Sequence, residues 1–234
     1  MKSTLELLGP MSANPWFGGL PLRERRAVLA AGELLRLRPG EMLFRQGDRV
    51  PAGTGFFYGL ARGSLKISTL REDGKEAILA VLEQGNWFGE ISLLDGLART
   101  HDATALGAAV VLAVPRAAFD ALMKRAAFSQ AICRMLAART RSLYGMVEDA
   151  TLRSTRARVA RRLLLLARGD ATQSAQARPS VPVSQEALAM MLGITRQTLS
   201  KELKVLVGRG AVALGYGRIE IASPKLLEAL GAEG

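Results

Sequence analysis

Between Ser184 and Leu206 the chain reads SQEALAMMLGITRQTLSKELKVL. Five side chains after Thr195, namely Arg196, Gln197, Ser200, Lys201 and Lys204, have the chemistry to read or grip a polyanion. Arginine can donate paired hydrogen bonds to guanine, glutamine can pair with adenine, and serine can meet either a base or a phosphate. Lys201 and Lys204 supply charge suited to backbone phosphates. Such chemistry needs a helix that shows these residues together while an apolar stripe turns inward. Leu199, Leu203, Leu206 and Val207 recur at helical spacing and form that expected stripe. Thr195, just ahead of them, is the expected cap and is counted with the contact residues.

A first helix precedes the second. Ser184 can accept backbone N–H bonds ahead of QEALAMML, whose inward face is expected to be Ala187, Leu188, Met191 and Leu192. Gly193 can take the left-handed conformation that ends this helix, and Ile194 tucks back as an apolar anchor. Two short helices joined by a tight turn make a helix-turn-helix, whose second member enters a major groove. GAVALGYGRIEIAS follows, with two strands flanking Gly215-Tyr216-Gly217-Arg218. That hairpin would form a wing, with Arg218 as a phosphate contact at its tip. A structural helix pair with an ordinary solvated basic face is the plain alternative. The double cap, the basic second helix and the hairpin together favour DNA.

The rest of the chain must position this segment. From Leu37 to Val114 short apolar runs alternate with turn residues: MLF, FFYGLA, LKIST and AILAVL, with glycines at 47, 63, 74 and 85. The spacing predicts an all-β sandwich or barrel of short strands. PLRERRAVLAAGELL at 21–35 predicts a helix before it, and PRAAFDALMKRAAF another after it. Ile132, Leu136, Leu143, Met146 and Ala150 approximate a seven-residue seam on one long helix, although Arg139 interrupts it and Gly145 lowers helix propensity. That stripe needs a cover, either the β domain or the equivalent helix of a second copy. A helix protruding between two domains favours the second copy, and hence a homodimer. TRARVARRLLLLARGD predicts one further helix, and ATQSAQARPSVP a loop.

Composition narrows the function classes. The chain has 234 residues and a net charge of +11. Residues 150–234 carry 13 Lys and Arg against 6 Asp and Glu, so the basic excess concentrates where the helix pair lies. LLLL at 163–166 is flanked by Arg161, Arg162 and Arg168, which suits a buried face rather than a membrane span. The amino end has no secretory pattern, so the expected location is the cytoplasm. Cys133 is the only cysteine, which excludes an intramolecular disulfide and a cysteine-ligated iron–sulfur cluster; it is expected as buried packing. His101 is the only histidine, so no multi-histidine metal site can form, and no nucleophile–histidine arrangement stands out. An enzyme is not expected, nor is a metal site. His101 is expected at the surface or in a structural place, a haem role resting on its residue type alone. Trp87 and Phe88 are expected to pack in the β domain.

From roughly residue 17 to 222 the chain resembles the Crp/Fnr family of bacterial transcription regulators. The resemblance rests on RPGEMLFRQGD, DGKEAILAVLEQGNWFGEISLLDG and SQEALAMMLGITRQTLSKELKVL in that order. It implies an α+β multidomain fold: a cyclic-nucleotide-binding-like β-roll (jelly roll) at 17–126, a long dimerisation helix at 127–152, and a winged helix-turn-helix at 153–234. It also implies a homodimer on pseudo-palindromic double-stranded DNA, in contact with RNA polymerase. On this resemblance Ile132, Leu136, Leu143 and Met146 belong to the dimer interface. Arg196 and Lys201 look like the family's half-site readers. Gln197 stands where the family usually has glutamate, so the preferred half-site is expected to differ.

The family's phosphate-binding cassette is similar to FGEISLLDGLART at 88–100. The match implies Glu90 on a ribose hydroxyl, Arg99 on a cyclic phosphate, and Thr100 with backbone N–H groups completing the anion site. The base side departs from the pattern: a Thr-Ser pair in cyclic-AMP-binding members corresponds to Leu143-Tyr144, where Tyr144 alone offers stacking or a hydrogen bond. A structural Arg99–Glu90 ion pair in a ligand-free β-roll is the rival reading. The effector therefore stays open among a cyclic nucleotide (cyclic AMP, cyclic GMP or cyclic di-GMP), another small molecule, and none. A ligand-sensing regulatory subunit acting on a protein partner is the different-class reading, and it leaves the winged segment without a role.

Overall fold

The computed structural model describes residues 4–170 and 178–233. Two compact units divide the chain. One holds the chain to Gly74 together with Leu79–Ala138, the other Lys75–Ile78 together with the chain from Arg139 onward.

The first unit opens with a 3-10 turn and three short helices, α1 (Leu8–Ser12), α2 (Pro15–Gly18) and α3 (Leu22–Ala30). The first two were not foreseen, although α2 carries a signal: Asn14 caps it by accepting from Trp16 N, and Pro15 occupies its first turn. α3 ends sooner than expected. Residues 33–35 of the predicted helix are instead strand β1 (Glu33–Leu37), which pairs antiparallel with a later strand. Cross-strand pairing there overrides the local helical spacing.

The strands follow as β2 (Met42–Phe44), β3 (Phe56–Arg62), β4 (Ser64–Leu70), β5 (Glu76–Glu83) and β6 (Trp87–Phe88). After α4 (Ile91–Asp95) come β7 (Asp102–Ala105) and β8 (Ala109–Pro115). They form two four-stranded sheets, ordered β1-β8-β3-β6 and β2-β7-β4-β5, which is the predicted β-roll. Alternate residues of the runs point inward: Leu60, Leu65, Ala103 and Val111 are fully buried between the sheets. An aromatic group closes the other side. Phe17 and Phe57 each stack on Trp87 with centroids 5.1 Å apart, and Trp16 Nε1 donates to Ala131 O at 2.8 Å. Trp87 and Phe88 are buried in the β-roll, as expected.

α5 (Arg116–Met123) begins after Pro115, and α6 (Ala126–Leu152) is the long helix. Its first part does not serve as a free seam. Ile132 is buried with Phe128, Ala131 and Met135 in the core of the first unit, and Leu136 is half-buried against that core. The assignment of Ile132 to the dimer face is therefore corrected: the apolar residues at 128, 131, 132 and 135 face the chain's own α2 and β-roll. Cys133, expected as buried packing, is exposed on the opposite side of α6. Further along, Leu143, Tyr144 and Val147 are 60%, 73% and 64% exposed, and Met146 is half-buried.

The second unit continues with α7 (Thr155–Ala167), β9 (Ser180–Val181), α8 (Gln185–Leu192), α9 (Arg196–Gly208), β10 (Val212–Gly215), β11 (Arg218–Ile221) and α10 (Pro224–Ala232). Part of the predicted loop is strand: β9 adds to the hairpin in the order β10-β11-β9, while residues 171–177 lie outside the described residues. α10 was not foreseen, although Ser223 capping and Pro224 in the first turn are its signature. Val159, Leu163, Leu188, Leu199, Leu203, Leu206, Ile219 and Leu227 share one core. At about 1.5–3 kcal/mol for each large apolar side chain fully buried, that core is what holds these short elements together. Among the described residues, no helix is long and apolar enough to cross a membrane.

Candidate functional site

The opening stretch is two helices, broken where glycine permits it. Ser184 accepts from Ala187 N at 3.1 Å to start α8. Gly193 ends it at φ +64, a conformation any Cβ would strain, and Ile194 N donates back to Ala189 O. Thr195 Oγ1 then accepts from Thr198 N at 3.1 Å to start α9. Leu199, Leu203 and Leu206 are completely buried, but Val207 is 41% exposed and leaves the predicted stripe. In α8, Ala189 is buried, whereas Ala187 and Met191 are only half-buried.

At about 100° per residue, Arg196, Ser200, Lys204, Gln197 and Lys201 fall within roughly 140° of the α9 surface. Thr195, Arg196, Gln197, Lys201 and Lys204 are exposed and Ser200 half-buried. Arg196, Lys201 and Lys204 make no ion pair with any described residue. Arg218 sits at the hairpin, where its Nε pairs with Glu220 Oε1 at 3.1 Å. A cleft of about 410 Å³ separates the first turn of α8 from the hairpin, with Ser184, Gln185, Arg196, Tyr216 and Arg218 among its walls. The structure thus brings together the residues predicted to meet DNA.

Much of the basic charge that the sequence concentrates after position 149 is engaged within the fold. Among the described residues, at least seven of the 13 basic residues after position 149 pair internally: Arg153 and Arg161 with Asp149, Arg156 with Glu202, Arg162 with Asp170, Arg168 with Glu228, Arg209 with Glu233, and Arg218 with Glu220. Arg158 Nη2 donates to Leu192 O at 2.6 Å, at the last carbonyls of α8. Together with Arg156–Glu202, this bond ties α7 to both helices of the pair. These arginines position the reading helix; counting charge along the chain overstated how much of it faces outward.

In the β-roll, Glu90 is fully buried at the start of α4, and Arg99 is 6% exposed. Arg99 Nη1 donates to Gly89 O at 3.0 Å, and its guanidinium lies 4.4 Å from the Phe44 ring centroid and 5.8 Å from that of Tyr58. Gly89 is required: its φ is +88, and a Cβ there would stand 2.9 Å from the Tyr58 ring and 3.3 Å from Arg99 Nη1. Burial lowers the proton affinity of Arg99 below its ordinary value, against the pull of Tyr58, Glu90 and Asp48. Burial raises Tyr58, and Arg99 opposes that rise. A desolvated guanidinium is stabilised by an incoming anion, so Arg99 with the neighbouring exposed Thr100 suits a phosphate. The aromatic shelf of Phe44 and Tyr58 was not foreseen, because only sheet pairing brings β2 and β3 to Arg99. Tyr144 belongs to the other compact unit and is exposed on α6.

Residues 34–126 match the cyclic nucleotide-binding domain, and residues 157–230 match the Crp-like helix-turn-helix domain. A protein of Thermus thermophilus described as cyclic AMP receptor protein is 31% identical over 219 residues, spanning 93% of this chain and 97% of its own. A CRP-like cAMP-activated global transcriptional regulator of Mycobacterium tuberculosis is 31% identical over 170 residues, 72% of this chain and 73% of that one. Among solved structures, a CRP-family transcriptional regulator of Thermus thermophilus superposes with a TM-score of 0.66 at 28% identity, over 86% of this chain and 97% of that one. Two of these three, the Mycobacterium tuberculosis protein and the solved structure, are described as transcriptional regulators. With both halves matched in chain order and a relative similar along nearly all its length, the chain belongs to the Crp/Fnr family of transcription regulators, with a DNA-binding helix-turn-helix.

Proposed function

We propose that the protein acts in the cytoplasm as a homodimer on a two-fold DNA site whose half-sites lie about one helical turn apart. Arg196, Gln197 and Ser200 read base edges, and Thr195, Lys201, Lys204 and Arg218 meet the backbone. Lys201 has the family's second reading position and serves the half-site as well. RNA polymerase is the further partner. The region 17–126 is the effector domain, 127–152 the dimerisation helix and 153–234 the reading domain.

The second copy covers the exposed face of α6, where Leu143, Tyr144 and Val147 crowd together with Met146 beside them. Three large apolar side chains exposed on one helix are what a partner helix removes from water. The effector carries a phosphate held by Arg99 and Thr100, with Glu90 toward the ribose. A cyclic nucleotide fits this chemistry, and the cyclic AMP named for the curated relatives is the first candidate. Leu143 in place of a polar residue argues for a base contact unlike theirs.

The observation that carries this reading is the outward face of α9, where three cations that make no ion pair with any described residue flank Gln197 and Ser200. Selection of bound fragments from random duplex DNA, with and without cyclic AMP, cyclic GMP and cyclic di-GMP, is the test. Recovery of an inverted repeat supports the reading, and enrichment that changes with one nucleotide names the effector. Fragments without two-fold symmetry, or no retention at low salt, would refute it. Arg196→Ala is expected to flatten the recovered sequence preference.

A further inference from the structure

Next to Arg99, the Thr100 hydroxyl lies 2.8 Å from Nδ1 of His101. The His101 ring rests against Phe44, with centroids 5.9 Å apart, and Arg99 covers the same Phe44 ring at 4.4 Å. Arg99, Phe44, Thr100 and His101 therefore form one packed group, built from β2 and the segment that enters β7.

A threonine hydroxyl carries a single hydrogen. Where Nδ1 accepts it, Thr100 has nothing left to donate to an anion. Where Nδ1 carries the proton, it donates to Oγ1, and the threonine hydrogen points elsewhere. A hydroxyl that already accepts a hydrogen bond is also the better donor. Imidazole is suited to this because the hydrogen bond it makes selects which nitrogen is protonated.

We propose that His101 is a positioning residue of the anion site: its Nδ1–H donates to Thr100 Oγ1 and sets that hydroxyl as a donor to the phosphate of a cyclic nucleotide. The inference rests on the reading of Arg99 and Thr100 as the phosphate anchor. His101 acts through Thr100 and does not touch the ligand, so its effect exists only while the hydroxyl is present.

Calorimetric titration of the full-length protein with cyclic AMP, cyclic GMP and cyclic di-GMP provides the test, the tightest of the three serving as probe. His101→Ala weakens binding about fivefold, the size of one hydrogen bond. His101→Asn, whose side-chain amide can donate from a similar place, restores most of that loss. Thr100→Val also weakens binding, and in that background His101→Ala adds nothing further. An equal loss in both backgrounds would mean that His101 acts by packing on Phe44, and would overturn the proposal; so would no loss in the parent protein. Binding of none of the three nucleotides, or binding indifferent to Arg99→Gln, would overturn the anion-site reading itself and this inference with it.

Discussion

Replacing Lys204 with alanine isolates the electrostatic part of DNA binding. Lys204 is exposed in the middle of the α9 reading face, about 12 Å along the helix from Arg196, and it makes no ion pair with a described residue. Its whole charge is thus available to a phosphate. A dimer carries two copies, so the substitution removes two contacts, and at about 0.9 counterions each the slope of log K against log salt becomes shallower by about 1.8. Carried from about 1 M down to about 0.15 M salt, that slope amounts to roughly a 30-fold loss of affinity, or about 2 kcal/mol. Arg218 behaves differently, because its pairing with Glu220 at 3.1 Å means that one ion pair is exchanged for another. Arg218→Ala is therefore expected to change the slope by less. Fluorescence anisotropy with a labelled operator and a scrambled duplex, titrated across a salt series, measures both. The Lys204→Ala loss should be equal on the two duplexes. An unchanged slope, or a loss confined to the operator, would refute the assignment of Lys204 to phosphate.

Two further tests address the scaffold. Arg162 and Asp170 form a two-pronged ion pair at 3.0 Å with Arg162 buried and the Asp170 side chain only 10% exposed, so Asp170→Asn, which also tolerates the φ of +38 there, should cost about 3 kcal/mol in urea unfolding. Adding Arg162→Met should recover most of that loss, and a merely additive double variant would show that the pair is not coupled. Cys133, Thr140 and Val147 share one position of a seven-residue repeat on the exposed side of α6. In a parallel two-fold helix pair equal positions face each other. Mild oxidation should therefore link the dimer through Cys133 and fail in Cys133→Ser; a dimer that never links would argue against parallel α6 pairing.

Local chemistry determined much of this protein on its own. Ser184 dictates where α8 starts, Gly193 where it stops and Thr195 where α9 starts, because caps and left-handed turns depend on neighbours within four residues. The glycine-separated apolar runs announced the β-roll for the same reason. Tertiary structure decided what depends on residues far apart in the chain. Only the packing of Phe128 and its α6 neighbours on Trp16, Phe57 and Phe119 shows that Ile132 faces inward and Cys133 outward, since a helical repeat gives spacing and not which side is covered. Only the pairing of Arg156 with Glu202, Arg168 with Glu228 and Arg209 with Glu233, all far apart in the chain, shows that part of the carboxy-terminal charge is engaged within the fold. Likewise, Phe44 and Tyr58 reach Arg99 because three strands converge there, a meeting that no stretch of sequence records.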